Sequence, residues 1–353
     1  MNTVAPPIAL AKLVHQGLQQ GKMALSVVHK DLTSRLFSAI RPSDRTLPDL
    51  DPSVVEDLQQ RITALVDEDW RDGEQGVYPI QLLFDEPWGD YLQIYPWLCW
   101  DSFGSWNRSV EGRFYDFSPS IDVDKYPKYY ARNFHNQTDG YLSDTSAKLY
   151  DLQVELLFGG VADAMRRRVI KPLKAGLDAL GVQEPRILDI ACGTGCTLRN
   201  LKAALPQASL FGLDLSPNYL RRANQVLGRL PDALPQLIQG NAESLPYLDG
   251  YFQGITNVFL FHEVPGPIRQ RIINESYRVL APGGVCVICD SIQQDDSPAM
   301  APVFQRFSGI FHEPFFVDYI KDDIGGRCQA AGFEVVESYT HFMSKYWVLR
   351  KPG

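Results

Sequence analysis

The stretch that decides the fold is Arg186–Cys196, which reads RILDIACGTGC. Its first half is an apolar run typical of a strand covered on both faces, and it predicts a buried strand over 186–190. Gly193 and Gly195 then let the backbone turn sharply and let a ligand approach the main chain closely. A helical composition comes next, over 198–205. A glycine turn between a strand and a helix also occurs in ordinary loops, so its meaning depends on the neighbouring strands.

An acidic residue at the end of the next predicted strand indicates that the glycine turn belongs to a nucleotide-binding unit. Strand 209–213 ends at Asp214, nineteen residues beyond Gly195. An acidic residue at about this distance reaches the ribose hydroxyls in nucleotide-binding units. Cys196 and Leu198 stand where the dinucleotide pattern G-x-G-x-x-G has glycine, so no pyrophosphate site is indicated. An adenosyl ligand without phosphates fits better, which points to S-adenosylmethionine.

Four sequence blocks, in the right order and spacing, resemble the class I S-adenosylmethionine-dependent methyltransferases of the ubiquinone/menaquinone-biosynthesis type. The blocks are ILDIACGTG at 187–195, GLDLS at 212–216, GNAESLPY at 240–247 and RVLAPGG at 278–284. The resemblance covers residues 185 to about 350. It implies a methyltransferase with S-adenosylmethionine as cofactor. Just ahead of this region, Tyr150-Asp151 resembles a pair found in the quinone-type enzymes.

Two residues depart from the family pattern. Ala191 replaces a common glycine, and we expect this to be harmless provided that its φ stays negative. Asn241 stands where the family usually has aspartate near the adenine amino group. Its amide oxygen can accept that hydrogen bond, although without charge assistance.

The resemblance implies a cofactor site beyond the carboxyl ends of the strands, where ligands bind in an open parallel sheet. Gly193 and Gly195 would approach the methionine part, and Asp214 would accept hydrogen bonds from both ribose hydroxyls. Leu215 would flank the adenine. Glu243 would either contact the cofactor or only cap the following turn. The cofactor-binding residues expected are Asp189, Ala191, Gly193, Thr194, Gly195, Asp214, Leu215, Asn241, Ala242, Glu243 and Asn257.

Two residues are candidates for catalysis, His262 and Tyr130. In the family, the segment 256–264 runs along the methionine part of the cofactor and floors the acceptor pocket. His262 lies in it, and the ordinary pKa of histidine suits proton removal near neutrality. The alternative is a buried histidine that only hydrogen-bonds locally. No metal site is predicted, because His262-Glu263 lacks the second histidine of H-E-x-x-H.

The alternation of apolar runs and helical segments predicts an α/β fold with a Rossmann-like, doubly wound, seven-stranded sheet. A short gap between the last two strands predicts an antiparallel C-terminal hairpin. The strands expected are 186–190, 209–213, 236–239, 253–259, 284–290, 333–339 and 342–349.

The chain divides into an N-terminal region, 1–145, and a methyltransferase domain, 146–353. Helices are expected over 8–40, 54–66 and 144–179, with a turn-rich link over 42–52. The first helix carries Leu18, Leu25, Leu32 and Leu36 near one face, and we expect that face to pack on its own domain rather than in a coiled coil. The segment 84–134 is dense in aromatic residues. It predicts a small aromatic core in an irregular subdomain, or a lid over a flat or greasy substrate.

Composition narrows the class of protein. The 353 residues are 45% hydrophobic and 22% charged, as in ordinary globular proteins. A formal net charge of -8 argues against nucleic-acid binding. No apolar run approaches the roughly 20 residues of a membrane span, and residues 1–7 do not read as a secretory signal, so we expect a cytoplasmic protein. Cys286 and Cys289 lie three apart in a strand and should point to opposite faces.

Three functions are consistent with these observations. The first is methylation of a small acceptor, aromatic or isoprenoid-linked. The second is methylation of a protein side chain, with residues 1–145 docking the protein substrate. The third is a binding module without turnover, which the intact set of Asp189, Gly193, Gly195 and Asp214 argues against.

Overall fold

A computed structural model of the chain describes residues 8–40, 48, 50–230 and 234–353. Residues 1–7 and most of the expected link at 42–52 lie outside the described residues. Within the described ranges, no helix combines the length and the apolar character needed to cross a bilayer.

A seven-stranded sheet in the order β3-β2-β1-β4-β5-β7-β6 organises the molecule. Its first five strands are parallel, and β7 runs antiparallel to both β5 and β6. The predicted doubly wound sheet and its C-terminal hairpin are therefore confirmed. The strands are β1 Arg186–Ile190, β2 Ser209–Asp214, β3 Gln236–Gln239, β4 Phe252–Val258, β5 Leu280–Ser291, β6 Glu334–His341 and β7 Ser344–Arg350.

Helices connect and cover these strands. The six that precede the sheet are α1 Ile8–Ile40, α2 Pro52–Glu74, α3 Trp88–Glu111, α4 Asp144–Leu157, α5 Ala162–Arg167 and α6 Ile170–Leu180. The six that connect the strands are α7 Cys196–Ala204, α8 Pro217–Leu227, α9 Gly266–Val279, α10 Ala301–Phe311, α11 Phe316–Tyr319 and α12 Ile324–Ala330.

The strand order reverses at β1, because β2 lies on one side of β1 and β4 lies on the other. Such a reversal opens a crevice at the carboxyl ends of the strands.

The aromatic segment is more regular than its sequence predicts. Four tryptophans of the region lie on α3, a helix of 24 residues that continues through Pro96. A proline inside a helix leaves the carbonyl four residues earlier without its partner. Here that residue is Leu92, which is 64% exposed, so water can bond the carbonyl. The expectation of an irregular subdomain is wrong for this part, and irregular structure begins after α3.

The helix α1 packs on the domain with the opposite face from the one expected. His15, Gln19, Lys22 and Ser26 are buried along it, and Lys22 forms an ion pair with Glu86 at 2.5 Å. Of the four leucines predicted to face the domain, only Leu25 packs against α3. The other three are about half exposed. The polar face is held by charged partners that are distant in sequence, which no pattern within α1 reveals.

The segment around α2 shares its core with the sheet. Trp70 packs in one buried cluster with Val285 and Tyr346. Beside this cluster, Arg167 forms a fully buried ion pair with Asp69 at 2.6 Å. Removing Asp69 would leave the buried Arg167 with Asp163, at 2.6 Å, as its remaining carboxylate partner, which lowers stability. Folding of the sheet domain therefore depends on residues of the N-terminal region.

The strand β5 confirms the prediction for its two cysteines. Cys286 lies in the buried cluster on one face of the sheet, and Cys289 lies in the cluster on the other. Their sulfurs diverge, and both are free thiols.

Candidate active site

A cavity of about 960 Å³, which includes space open to solvent, lies at the carboxyl ends of β1, β2 and β4. Eight of the residues expected in the site line the cavity: Tyr130, Ala191, Gly193, Thr194, Asp214, Leu215, Asn241 and Ala242. The other five expected residues, Asp189, Gly195, Glu243, Asn257 and His262, lie behind or beside its wall.

Asp214 is the acidic residue at the end of β2. Its Oδ2 accepts a hydrogen bond from the Gly193 backbone N–H at 2.8 Å, and its Oδ1 accepts one from the Ser216 N–H at 2.8 Å. Burial raises the pKa of Asp214 to about 6. The two amides fix the carboxylate in the cavity wall, and each oxygen keeps a lone pair for a ligand hydroxyl.

The loop after β1 carries the glycine turn in left-handed backbone conformations. Gly193 has a φ of 54° and Gly195 a φ of 84°. A side chain added at Gly193 would project into open space, whereas one at Gly195 would meet Ala223 at 3.2 Å. Gly193 therefore keeps the cavity open, and Gly195 permits close packing of α7 on α8.

Ala191 corrects one expectation. Its φ is 58°, not negative. An alanine in the left-handed region costs on the order of 1 kcal/mol relative to glycine. Replacement of the family's glycine is tolerated here at the expense of backbone strain in the cofactor loop.

Polar contacts tie the loop ends to α4 and, through Tyr129, to the N-terminal region. Thr194 donates a hydrogen bond to Asp151 at 2.6 Å. Asn241 accepts from the Glu243 N–H at 2.9 Å and donates to the Glu243 carboxylate at 3.0 Å. The Tyr129 hydroxyl donates to the same carboxylate at 2.5 Å. Glu243 thus braces the cavity wall from behind.

Two of the expected residues lie beneath the cavity. The Asp189 carboxylate accepts a hydrogen bond from the Thr256 hydroxyl at 2.7 Å, and burial raises its pKa to about 7. Asn257 is buried, and its Oδ1 has no hydrogen-bond partner among the described residues. A buried unpaired amide oxygen and the open space at Gly193 both fit an adenosyl amino acid, which brings an ammonium donor and needs close backbone approach.

Four tyrosines form one wall of the cavity. Tyr141 lies at the centre, with ring centroids 6.1 Å from Tyr130, 5.9 Å from Tyr150 and 5.4 Å from Tyr219. Burial raises the pKa of Tyr130 and of Tyr141 well above that of free tyrosine. Both hydroxyls therefore stay protonated at ordinary pH and act as hydrogen-bond donors.

Glu263 lines the cavity beside this wall and was not predicted as a site residue. Its Oε1 accepts hydrogen bonds from the Tyr141 hydroxyl and from the His135 ring at 3.1 Å. The other nitrogen of His135 is 3.2 Å from Glu313. Burial lowers the pKa of His135, but these two carboxylates outweigh it and raise the pKa to about 10. His135 is thus a partly buried cation that joins the N-terminal region to the two glutamates.

His262 does not line the cavity. Its Nδ1 lies 2.6 Å from the Asp290 carboxylate, which is buried on β5. Burial lowers the pKa of His262, but the Asp290 carboxylate outweighs burial and raises it to about 9. The expected near-neutral pKa is wrong, because the sequence gives no sign that β5 places a carboxylate against this ring. A histidine protonated near neutrality cannot accept a proton there.

Some lining residues carried no recognisable signal. Arg166, Tyr219 and Glu263 come from three separate helical segments. Glu263 lies in the segment 256–264 that the family resemblance places beneath the acceptor pocket, but the choice of His262 as the titratable group passed over it.

The parallel sheet, the glycine turn and the buried acid at the end of β2 define a class of protein, the α/β proteins that bind an adenosyl ligand beyond the strand ends. Comparison with known proteins agrees. Residues 187–284 match the family model described as a methyltransferase domain. An uncharacterized methyltransferase of Synechocystis sp. is 32% identical over 158 residues, which are 44% of this chain and 70% of that protein.

Two further relatives have names that refer to quinones. A demethylmenaquinone methyltransferase of Thermotoga maritima is 33% identical over 168 residues, which are 48% of this chain and 64% of that protein. A ubiquinone/menaquinone biosynthesis C-methyltransferase of Methylobacterium nodulans is 31% identical over 168 residues, or 46% of this chain and 62% of that protein. The chain thus spans slightly less than two thirds of these two relatives. It belongs to the class I S-adenosylmethionine-dependent methyltransferases, and its cofactor is S-adenosylmethionine.

Proposed function

We propose that this chain transfers a methyl group to a small acceptor, aromatic or isoprenoid-linked, held against the tyrosine wall of the cavity. The observation that carries the proposal is that Tyr130, Tyr141 and Glu263 line the same cavity as Asp214 and Gly193. Cofactor and acceptor would then meet in one space. The names of the two quinone-type relatives agree with an acceptor of this kind.

The cofactor side of the cavity binds by shape and hydrogen bonding. We assign Asp214 to the ribose hydroxyls, Leu215 and Asn241 to the adenine, and Gly193 and Thr194 to the methionine part. When bound, S-adenosylmethionine supplies a methyl group that its sulfonium already activates. The residues of this chain therefore need mainly to align the acceptor with the methyl carbon and to exclude water.

The acceptor side supplies orientation and a proton acceptor. A flat ring can pack on the faces of Tyr130 and Tyr141, and the protonated hydroxyl of Tyr130 can donate to an acceptor oxygen. Within the described part of the chain, no group hydrogen-bonds to Oε2 of Glu263. We assign this oxygen to the acceptor hydroxyl, whose proton it takes as the new bond forms. Glu263 replaces His262 in this role, because His262 is already protonated near neutrality.

A protein side chain is the alternative acceptor, with residues 1–145 as the docking surface. Against it stands the tyrosine wall, since Tyr130 and Tyr141 occupy the side from which a docked protein would enter. A cytoplasmic location remains a prediction.

The test is incubation of the purified full chain with methyl-labelled S-adenosylmethionine and extracts that are then separated into small-molecule and protein fractions. Label in an organic-soluble small molecule, identified by mass spectrometry, is expected. Label confined to the protein fraction would favour the alternative. Absence of label from both fractions, with cofactor binding intact, would contradict a methyltransferase function for this chain.

Glu263 is tested on the labelled acceptor with Glu263→Gln. We expect kcat to fall about 100-fold or more, in the range of general-base loss, with cofactor affinity changed little. Glu337→Gln, at an exposed position on β6, is the matched control and should leave kcat unchanged. Equal turnover by the two variants would exclude Glu263 as the proton acceptor.

A further inference from the structure

The helix α1 presents its apolar face to solvent. Nine of its large apolar side chains are between 48% and 66% exposed. Six of these lie along one stripe of the helix: Leu10, Val14, Leu18, Val28, Leu32 and Leu36. We call this surface the α1 apolar face. An amphipathic helix normally buries its apolar stripe and exposes its polar one. The reverse arrangement in α1 indicates that a further partner covers the stripe.

The surface continues onto the neighbouring helix. The two helices run side by side, since His29 hydrogen-bonds to Tyr95 at 3.1 Å and Phe37 stacks on Trp106 with centroids 5.7 Å apart. On α3, Trp100 is 79% exposed. Exposed tryptophans are rare in monomers and are enriched at protein interfaces.

The size of the surface suits a stable interface. Burial of a leucine or valine side chain removes roughly 60–120 Å² of apolar area from water, and burial of a tryptophan about 150–250 Å². The half-exposed side chains of the α1 apolar face, together with Trp97 and Trp100 of α3, which are 66% and 79% exposed, therefore offer roughly 600 Å² of apolar area. The largest apolar patch on a typical monomer is about 300–600 Å². A standard interface buries about 800 Å² on each partner.

The spacing and charge of the face select the partner. Val28, Leu32 and Leu36 follow one another at four-residue steps, so they form one ridge along which a second helix can pack. Helices that lie on anionic membranes carry rows of lysine and arginine beside the apolar face. Of the four basic residues of α1, Lys22 is buried against Glu86, Lys30 donates to the Leu157 carbonyl, and Arg35 pairs with Asp31 on the helix itself. The chain has a net charge of -8, which anionic lipid repels.

We propose that the α1 apolar face pairs with the same face of a second copy of this chain, giving a homodimer with a helical interface. A self-complementary apolar surface of this kind is what two-fold pairing requires. The inference does not depend on the acceptor or on the catalytic roles assigned above.

The test is the mass of the full chain in solution, measured by light scattering and sedimentation over a concentration series. The unaltered protein should have twice the chain mass of 39.8 kDa. The double variant Val28→Glu, Leu32→Glu should dissociate at least about 100-fold more readily, since buried unpaired charges fall at the interface centre. Leu248→Glu is the control, because Leu248 is a single leucine, 77% exposed, outside this face.

Far-ultraviolet circular dichroism checks that the double variant keeps its helix content, which is expected because both side chains are solvent-exposed in one copy. A monomeric unaltered protein at every concentration would overturn the proposal, as would a double variant that stays dimeric. The alternative partner is a membrane surface, and it is tested by flotation with vesicles of phosphatidylcholine, with and without phosphatidylglycerol. Binding of a monomer to either vesicle through the α1 apolar face would also overturn the proposal.

Discussion

Asp214 offers the sharpest test of the cofactor site. In Asp214→Asn, one side-chain oxygen can still accept from either the Gly193 or the Ser216 N–H, but the new amide group faces the other N–H with a donor. The ribose also loses its charged acceptor. The unsatisfied N–H is present with and without the cofactor, so it lowers the stability of the protein and not its affinity. The affinity loss comes from the charge-assisted hydrogen bonds to the ribose, which amount to about 2–3 kcal/mol. This predicts S-adenosylmethionine binding about 30–150-fold weaker.

The pH dependence of binding comes from the same carboxylate. Burial raises the pKa of Asp214 to about 6 in the free protein. A ribose that donates two hydrogen bonds favours the ionised form, so the affinity is full above this pKa and falls as the pH drops through it. At pH 5 about nine tenths of the carboxyl is protonated, and binding should be about tenfold weaker than at pH 7.

The assay is calorimetric titration of the full chain and of Asp214→Asn with S-adenosylmethionine at pH values from 5 to 8. The variant should bind weakly and with a flatter pH profile. Any dependence that survives in it belongs to other groups, such as Asp189, whose pKa burial raises to about 7. Unchanged affinity, or an equally steep profile in the variant, would refute the assignment of Asp214 to the ribose.

Three further predictions concern single residues. Ala191→Gly should relieve left-handed strain of about 1 kcal/mol and raise the thermal midpoint by roughly 2 °C; a lower midpoint in calorimetry would contradict this. His262→Gln should leave the shape of the rate–pH profile between pH 6.5 and 8 unchanged, because His262 stays protonated there. If the variant lost the pH dependence of the rate in this range, His262 would be the base. His135 has a raised pKa of about 10, so its stabilising effect is full below pH 6.5 and is lost as the pH rises through 10. In His135→Gln, the free energy of unfolding measured with denaturant should therefore decline less steeply between pH 7 and 10 than in the unaltered protein. An equal slope would show that the contacts of His135 with Glu263 and Glu313 add no stability.

The sheet was predictable because its signals are local. The strands β1 and β3 begin and end where the sequence places them, since apolar runs and turn residues bound them within a few positions. The cofactor loop was predictable for the same reason: Gly193 and Asp214 lie in short motifs whose backbone geometry depends on few neighbours. Ala191 shows the limit of this reasoning, because its positive φ is set by the loop as a whole.

The N-terminal region was predicted less well because its packing is decided by distant partners. A proline inside an aromatic stretch suggests irregular structure, yet α3 tolerates Pro96 where water reaches the freed carbonyl. In α1 the leucine stripe suggested a packing face, but Lys22 is held by Glu86, sixty-four residues further along the chain. Helix propensity and hydrophobic periodicity are properties of a single segment, so they do not account for contacts with residues far away in the chain.

His262 and Glu263 show why the cofactor can be inferred from sequence while the acceptor cannot. The two are adjacent in the chain, and family likeness alone favours the histidine as the base. Their chemistry is decided by partners far away: Asp290 holds a proton on His262, whereas Tyr141 and His135 orient the carboxylate of Glu263 from 122 and 128 residues earlier in the chain. The groups that would touch the acceptor are thus assembled by tertiary contacts between the N-terminal region and the end of β4. Acceptor choice can change through residues such as Tyr141 and His135 without any change in the cofactor motifs, and this is why relatives that share the motifs do not by themselves identify what this chain methylates.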